Sequence, residues 1–285
     1  MHKLAGKAIV LDSDLSEIRL LLERYAGVLI DHDSEKFRAA VADYADFRHL
    51  NSGAELIALL RSSSAHCDGL LENLISGETS FFRYPQLFAA FQKVVMPEIA
   101  ARKAGENPRS LRIWSAGCST GEEAYSVAVS VCETLRGGSE SWNIHIVASD
   151  IRREALTLAE RGLYPEAALA DFPREWIASY FARVGDHLLV KPRLRNLITF
   201  TPMNLAQANF IGRFDCIFCL DVLPHFSACQ RIALLQRLHM FLEPGGYLFL
   251  GEEERIGPGA NFMVETQGNC TYYRRALTAA AHAGK

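Results

Sequence analysis

Residues 111–125 combine an apolar run, a turn containing two glycines and the start of a helical pattern. The run Leu111-Arg-Ile-Trp114 leads into Ser115-Ala-Gly-Cys-Ser-Thr-Gly-Glu-Glu-Ala-Tyr125, and helical spacing continues to about Leu135. A buried strand, a glycine turn and a helix form the first unit of a nucleotide-type α/β fold. In such a unit the turn lets a ligand approach the backbone and the helix N-terminus. The stretch predicts a cofactor site at this turn.

Two acids, Glu122 and Glu123, stand at the start of the predicted helix. Acidic residues suit the positive end of a helix dipole, but they would repel a pyrophosphate. They favour a ligand with positive charge near the turn, such as the ammonium and sulfonium of S-adenosylmethionine. The alternative is an ordinary helix N-terminus with acidic residues in its first turn.

Strand-like and helical stretches alternate from about residue 76 onward. Such alternation predicts an α/β fold with a doubly wound, mostly parallel sheet. His187–Val190 and Leu197–Phe200 are expected to form a short hairpin or a small sub-sheet. The strands are predicted at 111–116, 144–148, 214–219 and 246–250, and the helices at 122–135, 152–161 and 227–242.

The first 75 residues read as a separate helical domain. Asp14-Leu-Ser-Glu17 resembles a capping box, and further helices are expected around 37–47, 55–60 and 69–75. This part carries a net charge of −4, and the remainder carries +1. We expect three regions: a helical domain over 1–75, a linker and lead-in helix over 76–110, and a cofactor-binding domain over 111–278.

Composition and charge narrow the functional classes. The chain of 285 residues has a net charge of −3, which disfavours a nucleic-acid partner. No apolar run approaches the ~20 residues needed to span a bilayer, and residues 1–11 lack the pattern of a secretory leader. With seven cysteines, an odd number, we expect a reduced, cytoplasmic protein. Cys216 and Cys219 lie on a strand-like run and are interpreted as buried thiols on opposite faces.

Polar residues follow the ends of several predicted strands. In doubly wound sheets, ligands bind outside the carboxyl ends of the strands. The segments 116–123, Ser149-Asp150, Asn204-Leu205 and 220–225 all fall there, and Asp150 is placed to accept the hydroxyls of an adenosine ribose. Taken alone, each of these residues is explained equally well as a capping residue with no role in ligand binding. A fifth segment, Gly77-Glu-Thr-Ser-Phe-Phe-Arg83, precedes the sheet and is either part of the site or an interdomain linker.

Several of these motifs, in this order, resemble the CheR-type chemoreceptor glutamate O-methyltransferases. The resemblance spans about residues 15–275 and is most specific in the strings E-T-S-F-F-R and S-A-G-C-S-T-G-E-E. It implies a helical domain beside a class I S-adenosylmethionine methyltransferase domain. It also implies methyl transfer to a glutamate of a chemoreceptor-type protein in a chemosensory pathway, with S-adenosylhomocysteine as product and no metal.

The resemblance assigns roles to individual residues. Arg83 and His225 fall on positions near the reacting centre, and Asp221 replaces an Asn associated with the cofactor. Glu123 is expected to meet the methionine ammonium and Asp150 the ribose. The full set of cofactor-binding positions is Thr79, Arg83, Ala116, Gly117, Glu123, Asp150, Asn204, Leu205 and Asp221.

Some positions depart from the family pattern. Leu220, Asp221 and His225 replace Arg, Asn and Tyr, Gly77 replaces Asn, and Gly251-Glu-Glu-Glu254 replaces G-H-S-E. Most of these changes lie on the acceptor side. Two alternatives therefore stay open: a cofactor-binding regulatory or scaffold homologue without turnover, and a methyltransferase redirected to another acceptor.

The features that would dock a receptor also differ. The helix expected over 35–45 is mixed in charge rather than basic, and the loop 182–187 is short. Family members that bind a receptor's C-terminal pentapeptide have a longer, glycine-rich loop there. We expect docking without a pentapeptide, and a monomer is the default expectation for the oligomeric state.

Overall fold

The computed structural model describes residues 9–31, 34–75, 77–106, 108–136, 142–209, 211–257 and 261–277. Residue 76, at the predicted boundary between the helical domain and the linker, and residue 278, the predicted end of the last domain, lie outside this part. So do residues 1–8 of the segment assessed as a possible leader.

In the described part of the N-terminal unit there are four helices: α1 Asp12–Ala26, α2 Glu35–Phe47, α3 Gly53–Ser62 and α4 Ser64–Leu74. The predicted capping box at Asp14 is wrong, because α1 begins two residues earlier. Asp14 lies in the first turn instead, and its carboxylate accepts a hydrogen bond of 3.0 Å from the backbone nitrogen of Leu11. An acid in the first turn can satisfy a free N–H as well as a cap residue does.

The segment between this unit and the sheet forms one nearly continuous helix. It consists of α5 Pro85–Ala90, a π-helical turn Phe91–Val95 and α6 Met96–Arg102. Pro85 is the first residue of α5, where its missing N–H costs nothing. The helix packs against the helix 122–134 and the sheet through buried side chains such as Phe88 and Phe91.

Among the residues that the structure describes, the central sheet has seven strands in the order β6-β2-β1-β7-β8-β10-β9. Strands β6, β2, β1, β7 and β8 are parallel, whereas β10 runs antiparallel to both β8 and β9. The prediction of a doubly wound, mostly parallel sheet is confirmed. The strands are β1 Arg109–Ala116, β2 Trp142–Asp150, β6 Ile198–Pro202, β7 Phe214–Cys219, β8 Leu242–Leu250, β9 Phe262–Gln267 and β10 Cys270–Arg275.

Helices connect the parallel strands, and a small second sheet is inserted before β6. The helices are α7 Glu122–Thr134, α8 Arg153–Arg161, α9 Arg174–Tyr180, α10 Pro192–Arg195 and α11 Ala228–Phe241. The second sheet is antiparallel and consists of β3 Leu163–Pro165, β4 Phe181–Val184 and β5 His187–Val190.

One predicted strand pairing is wrong. His187–Val190 pairs with β4 and β3, whereas Ile198–Pro202 joins the main sheet beside β2. The short helix α10 separates the two strands and carries the chain from one sheet to the other. Local patterns indicate that a segment is a strand, but they do not indicate its partner.

The two faces of the sheet pack into separate apolar clusters. Cys219 belongs to one cluster and Cys216 to the other, and both thiols are fully buried, as the strand periodicity predicts. Burial raises the pKa of both thiols well above its usual range. The N-terminal helices share the cluster of Cys219, with Ile18, Leu22 and others packed in the same core as one sheet face. The helical unit is therefore joined to the sheet by a continuous apolar core.

The order of connection reverses on the two sides of β1. The chain passes from β1 to β2 and β6 on one side and to β7 and β8 on the other. Such a switch point opens a crevice at the carboxyl ends of the strands. The candidate site lies there.

Candidate cofactor and acceptor site

A cavity of about 230 Å³ opens at the carboxyl ends of β1, β2, β6 and β7. Of the residues predicted for the site, Ala116 does not line the cavity, because it is the fully buried last residue of β1. The structure brings the other nine together around the cavity: Thr79, Arg83, Gly117, Glu123, Asp150, Asn204, Leu205, Asp221 and His225.

The turn after β1 has backbone angles that few residues other than glycine can adopt. Gly117 and Gly121 have φ angles of +91° and +98°, and Ser119 between them has +49°. A Cβ atom on Gly117 would lie 2.6 Å from the side chain of Val222. A glycine is therefore required at 117 both for its conformation and for the close approach of the 220–225 segment.

The two acids that follow this turn have different surroundings. Glu122 accepts a hydrogen bond from the Thr120 hydroxyl and does not line the cavity. Glu123 is buried against the cavity and accepts a 2.5 Å hydrogen bond from the Ser115 hydroxyl. The pKa of Glu123 is raised to about 8. Burial is the largest cause and the nearby Asp221, Glu254 and Asp150 add to it, whereas the Ser115 bond acts in the opposite direction.

Glu123 has no ion-pair partner among the described residues, although it is a buried acid. The Ser115 hydrogen bond compensates for only part of the charge that ionisation would create, so burial still raises the pKa of Glu123. A ligand cation beside it would remove this penalty. The site therefore fits a group such as the ammonium of an amino acid.

Asp150, the last residue of β2, already accepts three hydrogen bonds. One oxygen accepts from the backbone nitrogen of Ser119 at 2.8 Å, and the other accepts from the backbone nitrogen of Arg152 at 2.9 Å and its Nε at 3.3 Å. The Arg152 guanidinium also donates to the Ser119 hydroxyl at 2.7 Å. Since a carboxylate has about four acceptor positions, two ribose hydroxyls would compete with Arg152.

Asn204 has a structural role that its sequence position did not reveal. Its side-chain nitrogen donates to the backbone carbonyl of Tyr25 at 2.9 Å, and its side-chain oxygen accepts from the backbone nitrogen of Ala206. Gln207 donates to the same Tyr25 carbonyl. The loop after β6 thus joins the end of α1 to the cavity wall.

The N-terminal unit contributes to the cavity, which the sequence analysis missed. Ala26 and Val28 line it, and Val28 forms an isolated antiparallel bridge with Phe226. The backbone nitrogen of Leu29 donates to the His225 carbonyl at 2.7 Å. The glycine at position 27, with a φ angle of +73°, ends α1 and directs the chain into this contact. The helical stop at Gly27 was visible in the sequence, but its distant partner was not.

The segment 77–83 is held by its two phenylalanines. Phe81 packs edge-on against Tyr164 and Phe172, and Phe82 packs against Phe88 and Phe172. The backbone nitrogen of Phe82, a residue with a φ angle of +49°, donates to the Ser126 hydroxyl at 3.0 Å. Thr79 and Arg83 are thereby fixed at the cavity wall. Of the two readings of this segment, the structure favours the one that makes it part of the site.

Arg83, Tyr84 and Asp221 meet at one side of the cavity. Arg83 donates to the Glu78 carbonyl at 2.5 Å and lies 3.3 Å from an oxygen of Asp221. The Tyr84 hydroxyl lies 2.6 and 2.7 Å from the two oxygens of Asp221. Burial and the neighbouring carboxylate raise the pKa of Tyr84, so the phenol stays protonated and donates. The sequence analysis did not single out Tyr84.

Glu254 fixes the segment that carries Asp221. Its buried carboxylate accepts hydrogen bonds from the backbone nitrogens of Gly251, Asp221 and Leu223, at 2.5, 3.0 and 2.8 Å. His225 ends the short 3-10 turn Leu223–His225, where its exposed side chain reaches the cavity. The conformation of 221–225 is thus set by a side chain from the loop after β8.

A switch-point cavity of this kind is where methyltransferases of this fold hold S-adenosylmethionine, and the family comparison places the chain in that class. The model of the family described as CheR methyltransferase, SAM binding domain, matches residues 77–272. The chain belongs to the CheR methyltransferase family.

Relatives match over nearly the whole chain. Chemotaxis protein methyltransferase Cher2 of Pseudomonas putida is 31% identical over 271 residues, which cover 91% of this chain and 97% of the relative. Chemotaxis protein methyltransferase 1 of Pseudomonas aeruginosa is 30% identical, over 92% of this chain and 97% of the relative. The chemotaxis protein methyltransferase of Escherichia coli is 31% identical, over 86% and 85%.

The residues that the structure describes contain no helix that is both long and apolar enough to cross a membrane. They also contain no group of three or more His, Cys, Asp or Glu side chains placed to hold a metal ion.

Proposed function

We propose that this chain is a protein-glutamate O-methyltransferase that methylates a chemoreceptor-type protein in a chemosensory pathway, acting in the cytoplasm. The relatives that cover almost all of the chain are named chemotaxis protein methyltransferases. The observation that carries the proposal is the position of Arg83, an arginine at the wall of the cofactor cavity. A planar guanidinium there suits an acceptor carboxylate, which it can orient with two donors.

Other residues of the cavity wall would hold the cofactor. Glu123 would face the methionine ammonium, Asp150 the ribose hydroxyls, and Gly117 would leave room for the backbone to approach. When bound, S-adenosylmethionine supplies an electrophilic methyl group on a sulfonium. Thr79, Leu205 and Asp221 would complete the contacts, and Asn204 would act by fixing the loop that carries Leu205.

The chemistry asks for positioning rather than for a base. A glutamate side chain with a pKa of about 4.3 is already ionised at neutral pH. The task of the enzyme is to hold that carboxylate in line with the methyl group and to exclude water. The segment 77–83, fixed by Phe81 and Phe82, would do the first. The residues Ala26 and Val28 of the helical unit would help to cover the cavity.

The receptor would dock without a C-terminal pentapeptide. The β4–β5 hairpin, which corresponds to the pentapeptide-binding region, closes through Gly185 and Asp186 alone, and Gly185 has a φ angle of +63°. Such a two-residue turn leaves no extended loop for a peptide to bind. We further propose that the protein acts as a monomer.

Transfer of labelled methyl groups tests this proposal. The protein is incubated with methyl-labelled S-adenosylmethionine and membranes that contain the cognate receptor, and label that is released by base identifies a glutamyl ester. We expect Arg83→Ala to lower kcat/KM by about a hundredfold, the loss of about 2.7 kcal/mol of charge-assisted contacts, and Arg83→Lys to recover part of it. Arg183→Ala is the matched control, because Arg183 pairs with Glu166 on the surface of the small sheet.

The experiment separates this function from the alternatives. Binding of S-adenosylhomocysteine with no transfer to any receptor would contradict the proposal and support a regulatory homologue. Label on a different protein or a small molecule would support a redirected methyltransferase. Full turnover by Arg83→Ala would contradict the role given to Arg83.

A further inference from the structure

Tyr84 makes the closest contact with Asp221 in the site. Its hydroxyl lies within 2.7 Å of both carboxylate oxygens, whereas the Arg83 guanidinium is 3.3 Å away. Tyr84 directly follows Arg83, so the two residues approach Asp221 from adjacent positions on the same fixed segment. The Arg83 guanidinium also lies 5.7 Å from the Tyr84 ring. The three side chains form one unit.

Asp221 has little freedom to leave this unit. Its φ angle is +59°, a conformation that residues other than glycine rarely adopt. Its backbone nitrogen donates to Glu254, and a Cβ on Gly251 would lie 2.3 Å from a carboxylate oxygen of Asp221. The carboxylate is therefore confined between Gly251 and the segment that carries Arg83.

This fixed negative charge creates a conflict for an acceptor carboxylate. A second carboxylate near Asp221 would be repelled, and it would compete with Asp221 for the Arg83 guanidinium. A neutral donor on Asp221 reduces both effects, because it satisfies the carboxylate without using the positive charge of Arg83. Tyr84 is such a donor, and it reaches both oxygens.

We propose that Tyr84 is a positioning residue that holds Asp221 and thereby leaves the Arg83 guanidinium available to the acceptor carboxylate. This inference rests on the proposed function, since it assumes an anionic acceptor. It also explains how the site accommodates an Asp at 221. An uncharged amide at that position would need no such partner, so the need for Tyr84 follows from the charge of Asp221.

A double-mutant cycle with Tyr84→Phe and Asp221→Asn tests the inference. In Tyr84→Phe, Arg83 remains as the side-chain partner of Asp221 among the described residues, so we expect KM for the receptor to rise about tenfold, the value of one charge-assisted hydrogen bond. The kcat and the Kd for S-adenosylhomocysteine should stay within about twofold. In the double variant, KM should return to that of Asp221→Asn alone, because the charge that requires Tyr84 is gone.

Tyr180→Phe is the matched control. The Tyr180 hydroxyl donates to Glu133 at 2.6 Å, a tyrosine–carboxylate bond of the same length outside the cavity lining. It should change none of the three constants. Circular dichroism and the Kd for S-adenosylhomocysteine then show whether each variant is folded.

The outcomes distinguish this inference from the proposed function. An unchanged KM in Tyr84→Phe, with normal wild-type turnover, would overturn the role of Tyr84 alone. A double variant as impaired as Tyr84→Phe would do the same, because it would show that the tyrosine acts independently of the charge at 221. Wild-type protein that binds S-adenosylhomocysteine but methylates no receptor would overturn the proposed function and this inference with it.

Discussion

The side chain of Arg152 occupies acceptor positions of Asp150 at the end of β2. The guanidinium Nε lies 3.3 Å from the same carboxylate oxygen that accepts the Arg152 backbone nitrogen, and another guanidinium nitrogen bonds to Ser119. Gly77 allows this arrangement, because a Cβ there would lie 2.9 Å from Arg152. A ribose that bonds to Asp150 must share the carboxylate with Arg152 or displace its Nε.

Removal of this competitor should strengthen cofactor binding. We expect Arg152→Ala to bind S-adenosylhomocysteine about three- to tenfold more tightly. This factor is the net value of one hydrogen bond, since the ribose would no longer have to displace the bond from the Arg152 Nε to Asp150. The unliganded variant should be less stable, because the buried Asp150 loses a partner. Calorimetry measures the affinity, and Arg153→Ala, an exposed neighbour, is the control. Weaker binding by Arg152→Ala would show that the guanidinium itself contacts the cofactor.

The protonation of Glu123 should be visible when the cofactor binds. With a pKa of about 8, Glu123 is mostly protonated at pH 7, and an ammonium beside it would favour the ionised form. We expect binding of S-adenosylhomocysteine at pH 7 to release about one proton, and the affinity to rise about tenfold from pH 6 to pH 7. Calorimetry in two buffers of different ionisation enthalpy counts the protons.

Matched substitutions assign this proton to one carboxyl group. Glu123→Gln should bind without proton release and with little pH dependence over that range. Glu122→Gln should behave as the wild type, because the Glu122 side chain bonds to Thr120 outside the cavity lining. Proton release that persists in Glu123→Gln would mean that another group titrates.

The same pKa fixes the sign of a stability change in the unliganded protein. The folded state keeps the Glu123 proton up to a pH of about 8, whereas the unfolded chain loses it near 4.5. Between these values the folded state binds more protons, so this contribution to the free energy of unfolding falls as the pH rises. Urea denaturation at pH 5 and pH 8 should show a smaller loss in Glu123→Gln than in the wild type. An equal loss would contradict the raised pKa.

Much of this architecture follows from the sequence because its signals are local. The alternation of apolar strands with amphipathic helices predicted the parallel sheet, and polar residues at strand ends predicted part of the cavity wall. The positive φ angle of Gly117 agrees with the glycine turn from which the cofactor site was inferred. Each of these signals needs only a few neighbouring residues.

The features that the sequence did not reveal depend on distant partners. Nothing near Asn204 indicates that its side chain bonds to Tyr25, 179 positions away. Tyr84 and Asp221 are 137 positions apart, and the pairing of β5 with β4 rather than with β6 is set by the crossover through α10. Such contacts arise from the packing of elements against each other, which the local pattern does not encode.

Glu254 should be among the most sensitive positions for stability near the site. Glu254→Ala would leave the backbone nitrogens of Gly251, Asp221 and Leu223 without their acceptor in a buried region. At about 1–3 kcal/mol for each buried unsatisfied group, we expect a loss of at least about 3 kcal/mol in urea denaturation and weaker binding of S-adenosylhomocysteine. Glu253→Ala, at an exposed neighbouring position, is the control. A loss below about 1 kcal/mol would mean that water replaces the carboxylate.

Glu72 joins the helical unit to the sheet by capping a helix from a different part of the chain. Its carboxylate on α4 accepts from the backbone nitrogens of Arg153 and Glu154, at 3.2 and 2.5 Å, in the first turn of α8. The residue before α8, Arg152, provides no side-chain cap. Glu72 therefore satisfies two donors that α8 itself leaves free.

We expect Glu72→Ala to lower the free energy of unfolding by about 1 kcal/mol, the usual value of a helix cap. Glu72→Gln keeps one acceptor oxygen and should lose less than the Ala variant, although it removes one of the two hydrogen bonds and the charge that favours the helix dipole. Urea denaturation measures both, with Asn73→Ala, an exposed neighbour on α4, as the control. Because the cap links the two units, the Ala variant should also expose the amides at the start of α8 to faster hydrogen exchange. Unchanged exchange there, together with unchanged stability, would contradict this capping role.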